Sequence, residues 1–258
     1  METISTDTKI VKIRAFRATD DFASCQKFID GHRKVLDNHG IEKVTSSNNE
    51  WAYNPSVFVI LIESLDGSKT YGGARIHAVD GKYLLPIEEA VQEFDTRIFD
   101  IVKEQSAKGT GELCGLWNSK EVAGLGIGSF FSTIAGVVIT PQIGVNSLFA
   151  FCAPPTVRFS QWVGCRVITS IGNNGTFYYP KIDLLATAVL LDDSVNLPHA
   201  DAAAREKMWA LRNQLIQVVK DKAPIRKIEI EIHYNLVVAS ADANEFKLSN
   251  INLSSITH

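Results

Sequence analysis

Residues Val122–Phe131 read VAGLGIGSFF, three glycines alternating with larger residues directly ahead of an apolar, helix-forming run. The preceding Glu112–Trp117 reads as a short strand, and the helical pattern continues to about Ile139. A strand, a glycine turn and a helix in immediate succession point to a mixed α/β architecture. Glycine tolerates positive φ and lets a ligand approach the main chain with no Cβ in the way. The first N–H groups of the helix, together with its dipole, then favour an anion. Pyrophosphate binding is the chemistry this suggests. The competing use of such glycines is close packing of helix on strand.

Two familiar nucleotide motifs do not fit. A dinucleotide fold calls for G-x-G-x-x-G opening the domain, with an acid about 20 residues on. Here Gly124, Gly126 and Gly128 alternate, lie mid-chain and have no such acid after them. A nucleoside-triphosphate loop ends in Gly-Lys-Ser/Thr, which is absent here.

The remaining pattern is one α/β domain spanning 1–258, with a core over about 9–191 and an extension over about 192–258. Lys9–Arg17 reads as a first strand. Asp20 and Asp21 cap a helix to about Asn38, with Phe22, Cys25, Phe28, Ile29, Val35 and Leu36 on one side. Thr45–Asn54 reads as a loop. The apolar run Val57–Glu63 and the stretch Tyr71–Val79 form a hairpin around Asp66-Gly67. Ile87, Val91, Phe94, Ile98 and Ile101 recur at helical spacing, predicting one helix ending near Lys108-Gly109. Ser147–Cys152 is a strand, Thr156–Val163 a short helix and Ile182–Leu191 a further strand. In the extension, Met208, Leu211, Leu215 and Val218 predict a helix over Asp201–Lys222. Ile228, Ile230, Ile232, Tyr234, Leu236 and Val238 alternate with polar residues in a strand over Lys227–Val238. The tail after Ala239 is expected to fray.

A net charge of −3 gives no electrostatic reason to expect nucleic acid or an anionic membrane as partner. Cys25, Cys114, Cys152 and Cys165 sit apart in apolar contexts and read as reduced core residues, which suits a cytoplasmic protein. The N-terminus lacks the apolar centre of a secretory signal, and no apolar run is long enough to span a bilayer. No metal site is expected.

GLGIGSFF resembles the acyl-CoA-binding loop of the GNAT acyltransferase superfamily, Arg/Gln-x-x-Gly-x-Gly/Ala. Gly126 and Gly128 take the glycine places, and Ala123 stands where the family has Arg or Gln. The resemblance covers about residues 9–191 in the order of elements. It implies a mostly antiparallel mixed sheet flanked by helices, with the C-terminal helix and strand as an extension. It also implies an acyl thioester held by the main chain of Gly124, Leu125, Gly126, Ile127, Gly128 and Ser129. The thioester arm would lie between Leu113–Trp117, including Leu116 and Trp117, and Leu148–Cys152. Ser160 stands where many members carry the tyrosine that protonates the departing thiolate, so Tyr178 and Tyr179 become candidates for that proton, or else a pair of strand aromatics.

Two further stretches, GGARIHAVDGKYLLPIEE (Gly72–Glu89) and GELCGLW (Gly111–Trp117), resemble autoinducer synthases and long-chain N-acyl amino acid synthases. That branch has Gly-x-x-Arg on a hairpin strand and Glu-x-x-Arg before the glycine loop. Arg75 and Glu112 match, and Gly115 replaces the second arginine. The resemblance implies direct transfer of an acyl group from acyl-CoA or acyl carrier protein to a small amine such as an amino acid. Glu112 would act as general base, because attack needs a neutral amine, and Arg75 would orient a substrate carboxylate or pair with Glu112. Glu63 and His77 are second-choice bases, and Cys152 a remote candidate nucleophile. Phe130, Phe149 and Phe151 are candidates for an acyl tunnel or for core. Lys120, Arg158 and Arg166 are candidates for a carrier-protein patch, and a homodimer is compatible with the pattern. The departures at Ala123, Ser160 and Gly115 keep two other readings open: a non-catalytic acyl-thioester sensor, and an interaction protein.

Overall fold

The computed structural model describes residues 9–38, 40, 49–181 and 183–238. Its elements run β1 (Lys9–Arg17), α1 (Phe22–Asn38), β2 (Val57–Glu63), β3 (Thr70–Ala78), α2 (Pro86–Val91), α3 (Arg97–Ser106), β4 (Thr110–Asn118) and α4 (Ile127–Ile139). They continue with β5 (Ser147–Cys152), α5 (Pro154–Trp162), β6 (Arg166–Val167), β7 (Thr176–Tyr178), β8 (Leu185–Leu191), α6 (Ala202–Asn213), β9 (Ile216–Lys222) and β10 (Glu229–Asn235).

The strands form one sheet in the order β6-β8-β5-β4-β3-β2-β1-β10-β9, with β7 also paired to β8. Neighbours are antiparallel except β4 with β5 and β1 with β10. The expected mixed, mostly antiparallel sheet is therefore what forms, and the extension adds β10 and β9 beside β1.

β2 shows why both faces are covered. Alternate side chains of a strand point to opposite faces, and every residue of β2 is buried. Phe58, Ile60 and Ile62 join a core with Phe131, Ile134 and Val138 of α4 and with Met208 and Leu211 of α6. Val57, Val59 and Leu61 join Cys25, Phe28 and Ile29 of α1. The second face continues under α2 and α3, where Ile87, Ile98 and Val102 meet Phe149 and Leu190.

Three expectations need correction. The single helix over Ile87–Gly109 is two helices, α2 and α3. Between them Asp95 accepts hydrogen bonds from the Arg97 N–H (3.2 Å), the Arg97 Nε (2.9 Å) and the Gly172 N–H (2.9 Å), so the chain turns there instead of continuing. The helix over Asp201–Lys222 stops at Asn213. Beyond it, Ile216–Lys222 is rich in β-branched residues and forms β9 of a hairpin with β10, leaving Val218 exposed. The Thr45–Asn54 loop lies outside the described residues over 45–48, but Glu50–Tyr53 is a 3-10 turn with Trp51 and Ala52 buried. The tail after Ala239 also lies outside the described residues.

The helix α4 crosses the sheet at unusually close range. A Cβ on Gly128 would stand 2.2 Å from the Trp117 carbonyl oxygen, and one on Gly72 would stand 2.7 Å from the Gly128 Cα. Gly128 is thus a packing glycine. Gly128→Ala is expected to destabilise the fold by about 1–3 kcal/mol, read as a lower urea midpoint with an unchanged denaturant slope.

Candidate active site

β4 and β5 pair in parallel only from Thr110 to Glu112, opposite Ser147 to Phe149. Beyond Glu112 the two strands are unpaired, with Leu113–Trp117 on one side of the break in pairing and Ala150–Cys152 on the other. On its other edge β4 carries a bulge: Arg75 pairs with Cys114 and Gly73 with Trp117, so Gly115 and Leu116 face Ala74 alone. Gly115 has φ +60°, a conformation glycine adopts without strain at such bulges. A Cβ there would also lie 3.3 Å from the Arg75 Nε. The glycine in the place of the second arginine therefore belongs to a bulge packed on the first.

Glu112 is 2% exposed. Its Oε2 accepts the Ile87 N–H of α2 at 2.6 Å. Burial pushes its carboxyl up from 4.5 to about 8, against the opposing pull of that N–H and of Arg75, while the nearby Glu88 and Glu89 push further the same way. Glu88 is itself buried and accepts the Leu85 N–H at 2.7 Å. His77 sits directly across from Glu112 in the β3–β4 ladder. Its Nε2 is closed off from solvent without a hydrogen-bond partner, and burial, then Arg75, holds its pKa well below the usual imidazole value.

Arg75 is enclosed. It is 1% exposed, its guanidinium lies 4.3 Å from the Trp51 ring centre and 5.6 Å from that of Phe28, and Nη2 reaches Cys114 Sγ at 4.0 Å. A carboxylate clamp, the role the resemblance implies, does not match this setting: the side chain is stacked inside the α1 face. Its aromatic cover from Trp51 was not legible in sequence. Only the presence of tryptophan in an otherwise polar stretch hinted at it.

Glu63 is no free base either. Its carboxylate meets Arg14 Nε at 2.7 Å, Lys12 at 3.1 Å and Lys27 at 3.6 Å, and these cations outweigh burial to hold its pKa low. Cys152 faces α5, with its Sγ 3.2 Å from Ser160 Oγ, and burial raises its thiol pKa, which opposes nucleophilic use. The three phenylalanines do not share one wall. Phe130 stacks with Phe131, Phe159 and Trp162, whereas Phe149 and Phe151 lie on the α2–α3 face. Phe151, two positions along β5 from Phe149, the partner of Glu112, packs on Tyr179 with ring centres 5.3 Å apart. Tyr178 is 63% exposed. Of the basic residues, Arg166 pairs with Asp192 (3.0 Å), Arg158 stacks on Phe159 (4.8 Å), and Lys120 lines a separate cavity beside α1.

At the glycine loop, Gly124 and Gly126 have φ +73° and +75°. The Gly128 N–H donates to Asn118 Oδ1 at 2.6 Å. Leu125, Gly126, Ile127 and Ser129 are buried, while Ala123 and Gly124 are exposed. The turn between β9 and β10 covers the loop: Pro224 and Ile225 stand against Gly126, and Arg226 stands beside Gly124.

No protein-family model and no curated protein matches this sequence. Solved structures do match in shape. FeeM, an N-acyl amino acid synthase from uncultured soil microbes, aligns with a TM-score of 0.55 at 15% identity, over 76% of this chain and 97% of that one. The fold is the GNAT acyltransferase fold. The CoA-dependent acyl-homoserine lactone synthase MesI aligns with a TM-score of 0.48 at 13% identity, over 78% of this chain and 95% of that one. In GNAT terms the strand pair that parts is β4–β5, and Glu112 lies at the last paired position. Among the described residues no three His, Cys, Asp or Glu side chains group as a metal site, and no helix is long and apolar enough to cross a membrane.

Glu112 makes stability depend on pH. Between 4.5 and about 8 the unfolded chain has released this proton and the folded chain retains it. Stability from this group therefore falls as pH rises through that window. Glu112→Gln keeps an acceptor for the Ile87 N–H but carries no charge. Urea denaturation at pH 5 and pH 8 is expected to show the native chain losing more stability than the variant, by up to about 1.4 kcal/mol per pH unit.

Proposed function

We propose that this protein is an N-acyltransferase that moves an acyl group from an acyl thioester, acyl-CoA or acyl carrier protein, to the amine of a small molecule. The observation that carries the reading is Glu112: a carboxyl with its pKa near 8 at the point where β4 and β5 part. A base poised near the working pH is what deprotonating an amine requires.

In this reading the thioester lies where β4 and β5 part beyond Glu112, with its pyrophosphate or phosphopantetheine phosphate against the loop Gly124–Ser129. Glu112 takes a proton from the acceptor amine, directly or through one water. The neutral nitrogen attacks the thioester carbonyl carbon, main-chain N–H groups near the Gly115–Leu116 bulge stabilise the oxyanion, and the C–S bond breaks to leave an amide and a thiolate. Tyr179 is better placed than the exposed Tyr178 to return a proton to the sulfur, because it lies on the same sheet face as Glu112. Water serves if neither does.

Ala123 supplies the test of the donor site, since it is exposed and borders Gly124. Calorimetric titration with acetyl-CoA and a long-chain acyl-CoA is expected to show binding. Ala123→Glu should weaken it tenfold or more by placing a negative charge beside the phosphates, and Ala123→Arg should tighten it. An acceptor screen reading thiol release should then show turnover that Glu112→Gln reduces at least a hundredfold while leaving donor affinity unchanged. Binding without turnover across a broad amine panel would instead support the sensor reading, and no binding of CoA esters or of acyl carrier protein would overturn both.

A further inference from the structure

Resting on the acyltransferase reading, the polar groups around Glu112 say which amine the site takes. An acceptor carboxylate needs hydrogen-bond donors or a cation. Among the described residues, the guanidinium near Glu112 is that of Arg75, sealed between Trp51, Phe28 and Cys114. The N–H groups that α2 presents are already engaged, Leu85 by Glu88 and Ile87 by Glu112. What remains around Glu112 is two further carboxyl groups and an imidazole. Glu88 is buried beside Glu112, Glu89 on the same turn is exposed to solvent, and His77, across the ladder from Glu112, has a buried Nε2 with no partner. The low imidazole pKa keeps His77 neutral at pH 7, so its ring adds no positive charge. Glu88 and Glu89, joined by Glu112 once it ionises, face one enclosed guanidinium, an acidic setting that disfavours an acceptor carboxylate and favours an ammonium. A buried imidazole nitrogen without a partner is costly unless a ligand completes it.

We propose that the acceptor is a cationic amine without a carboxylate on the carbon bearing its nitrogen, a monoamine or diamine, and that Glu88, Glu89 and His77 select it beside Glu112. The amino-acid acceptor implied by the resemblance is then the disfavoured member of each matched pair. Selection works as a difference of affinities, and here the repulsive element is the acidic turn itself.

The experiment compares amines with their carboxylated counterparts: tyramine with tyrosine, cadaverine with lysine, and agmatine with arginine. Each is assayed for thiol release from acetyl-CoA and from a long-chain acyl-CoA, with the amide product identified by mass. The expected result is a kcat/KM at least tenfold higher for the amine in each active pair. Glu89→Lys, at an exposed position, is expected to shrink that ratio at least fivefold with its thermal melting unchanged. A merely structural role for Glu89 would lower both members alike and leave the ratio fixed. Amino acids turned over as fast as, or faster than, the amines would overturn the inference while leaving the acyltransferase reading intact. A ratio unmoved by Glu89→Lys would overturn the assignment to the acidic turn. If no acceptor turns over, the acyltransferase reading fails, and calorimetric titration of tyramine against tyrosine still decides the preference: equal or absent binding overturns it.

Discussion

The rest of the site depends on the close approach of α4 to the sheet at Gly72, Trp117 and Gly128. Two facing positions without side chains let the start of α4 sit on the last turn of β4, where a Cβ on Gly128 would meet a carbonyl oxygen at 2.2 Å. Asn118 then fills the gap by accepting the Gly128 N–H, one of the helix donors that would otherwise lack a partner. This contact fixes both ends of the loop between β4 and α4. It also holds β4 over β3 beyond the bulge, because Trp117 must pair with Gly73 while Cys114 pairs with Arg75. The glycines of VAGLGIGSFF thus divide their roles. Gly128 permits packing, and Gly124 and Gly126 supply the positive φ that turns the chain.

Burial of charge on the α1–α2 face is the second organising cost. A desolvated carboxylate and a desolvated guanidinium on neighbouring strands are each expensive, and the fold answers them differently. Arg75 keeps its charge inside an aromatic cage, where stacking on Trp51 and Phe28 offsets part of the desolvation. Glu112 instead retains its proton to a higher pH, because the N–H of Ile87 and the distant pull of Arg75 do not outweigh burial and the neighbouring carboxyls. Glu63, with three cations around it, shows the opposite outcome on the same sheet face. Identical side chains therefore end as a carboxyl that keeps its proton and as an ion-paired carboxylate through environment alone.

The strand core was legible because its signals are local. The unbroken apolar run of β2 and the strict alternation around Ile230, Ile232 and Tyr234 admit few alternatives, and the strand–glycine–helix unit announces itself. Helix ends in mixed segments were not. Ile87 to Ile101 has an apolar period that one helix satisfies as well as two, and the break depends on Asp95 meeting Gly172 from 77 residues away. Met208 to Val218 likewise fits a helix until tertiary pairing with β10 makes Ile216–Lys222 a strand. At the candidate site, the motif singles out Glu112 as a candidate. The sealing of Arg75 was not legible, since it requires Trp51, which no spacing rule connects to residue 75.

The extension after β8 is part of the architecture around the glycine loop and not an appendage. β10 lies parallel to β1 over six paired positions, Lys9 to Arg14, and a parallel partner must arrive by a long crossover. That crossover carries α6 over α4, where Arg212 donates to the carbonyl oxygens of Val195 and Val137 at 2.8 Å each. The same route returns the β9–β10 turn to the far end of the sheet, onto the glycine loop. There the Ile225 N–H meets the Leu125 carbonyl at 3.4 Å, and Pro224 and Ile225 sit where a larger residue at Gly126 would have to go. The loop consequently owes its shape to two sequence regions about a hundred residues apart. An arginine still stands at this loop, but it is Arg226, delivered by the hairpin to the side of Gly124.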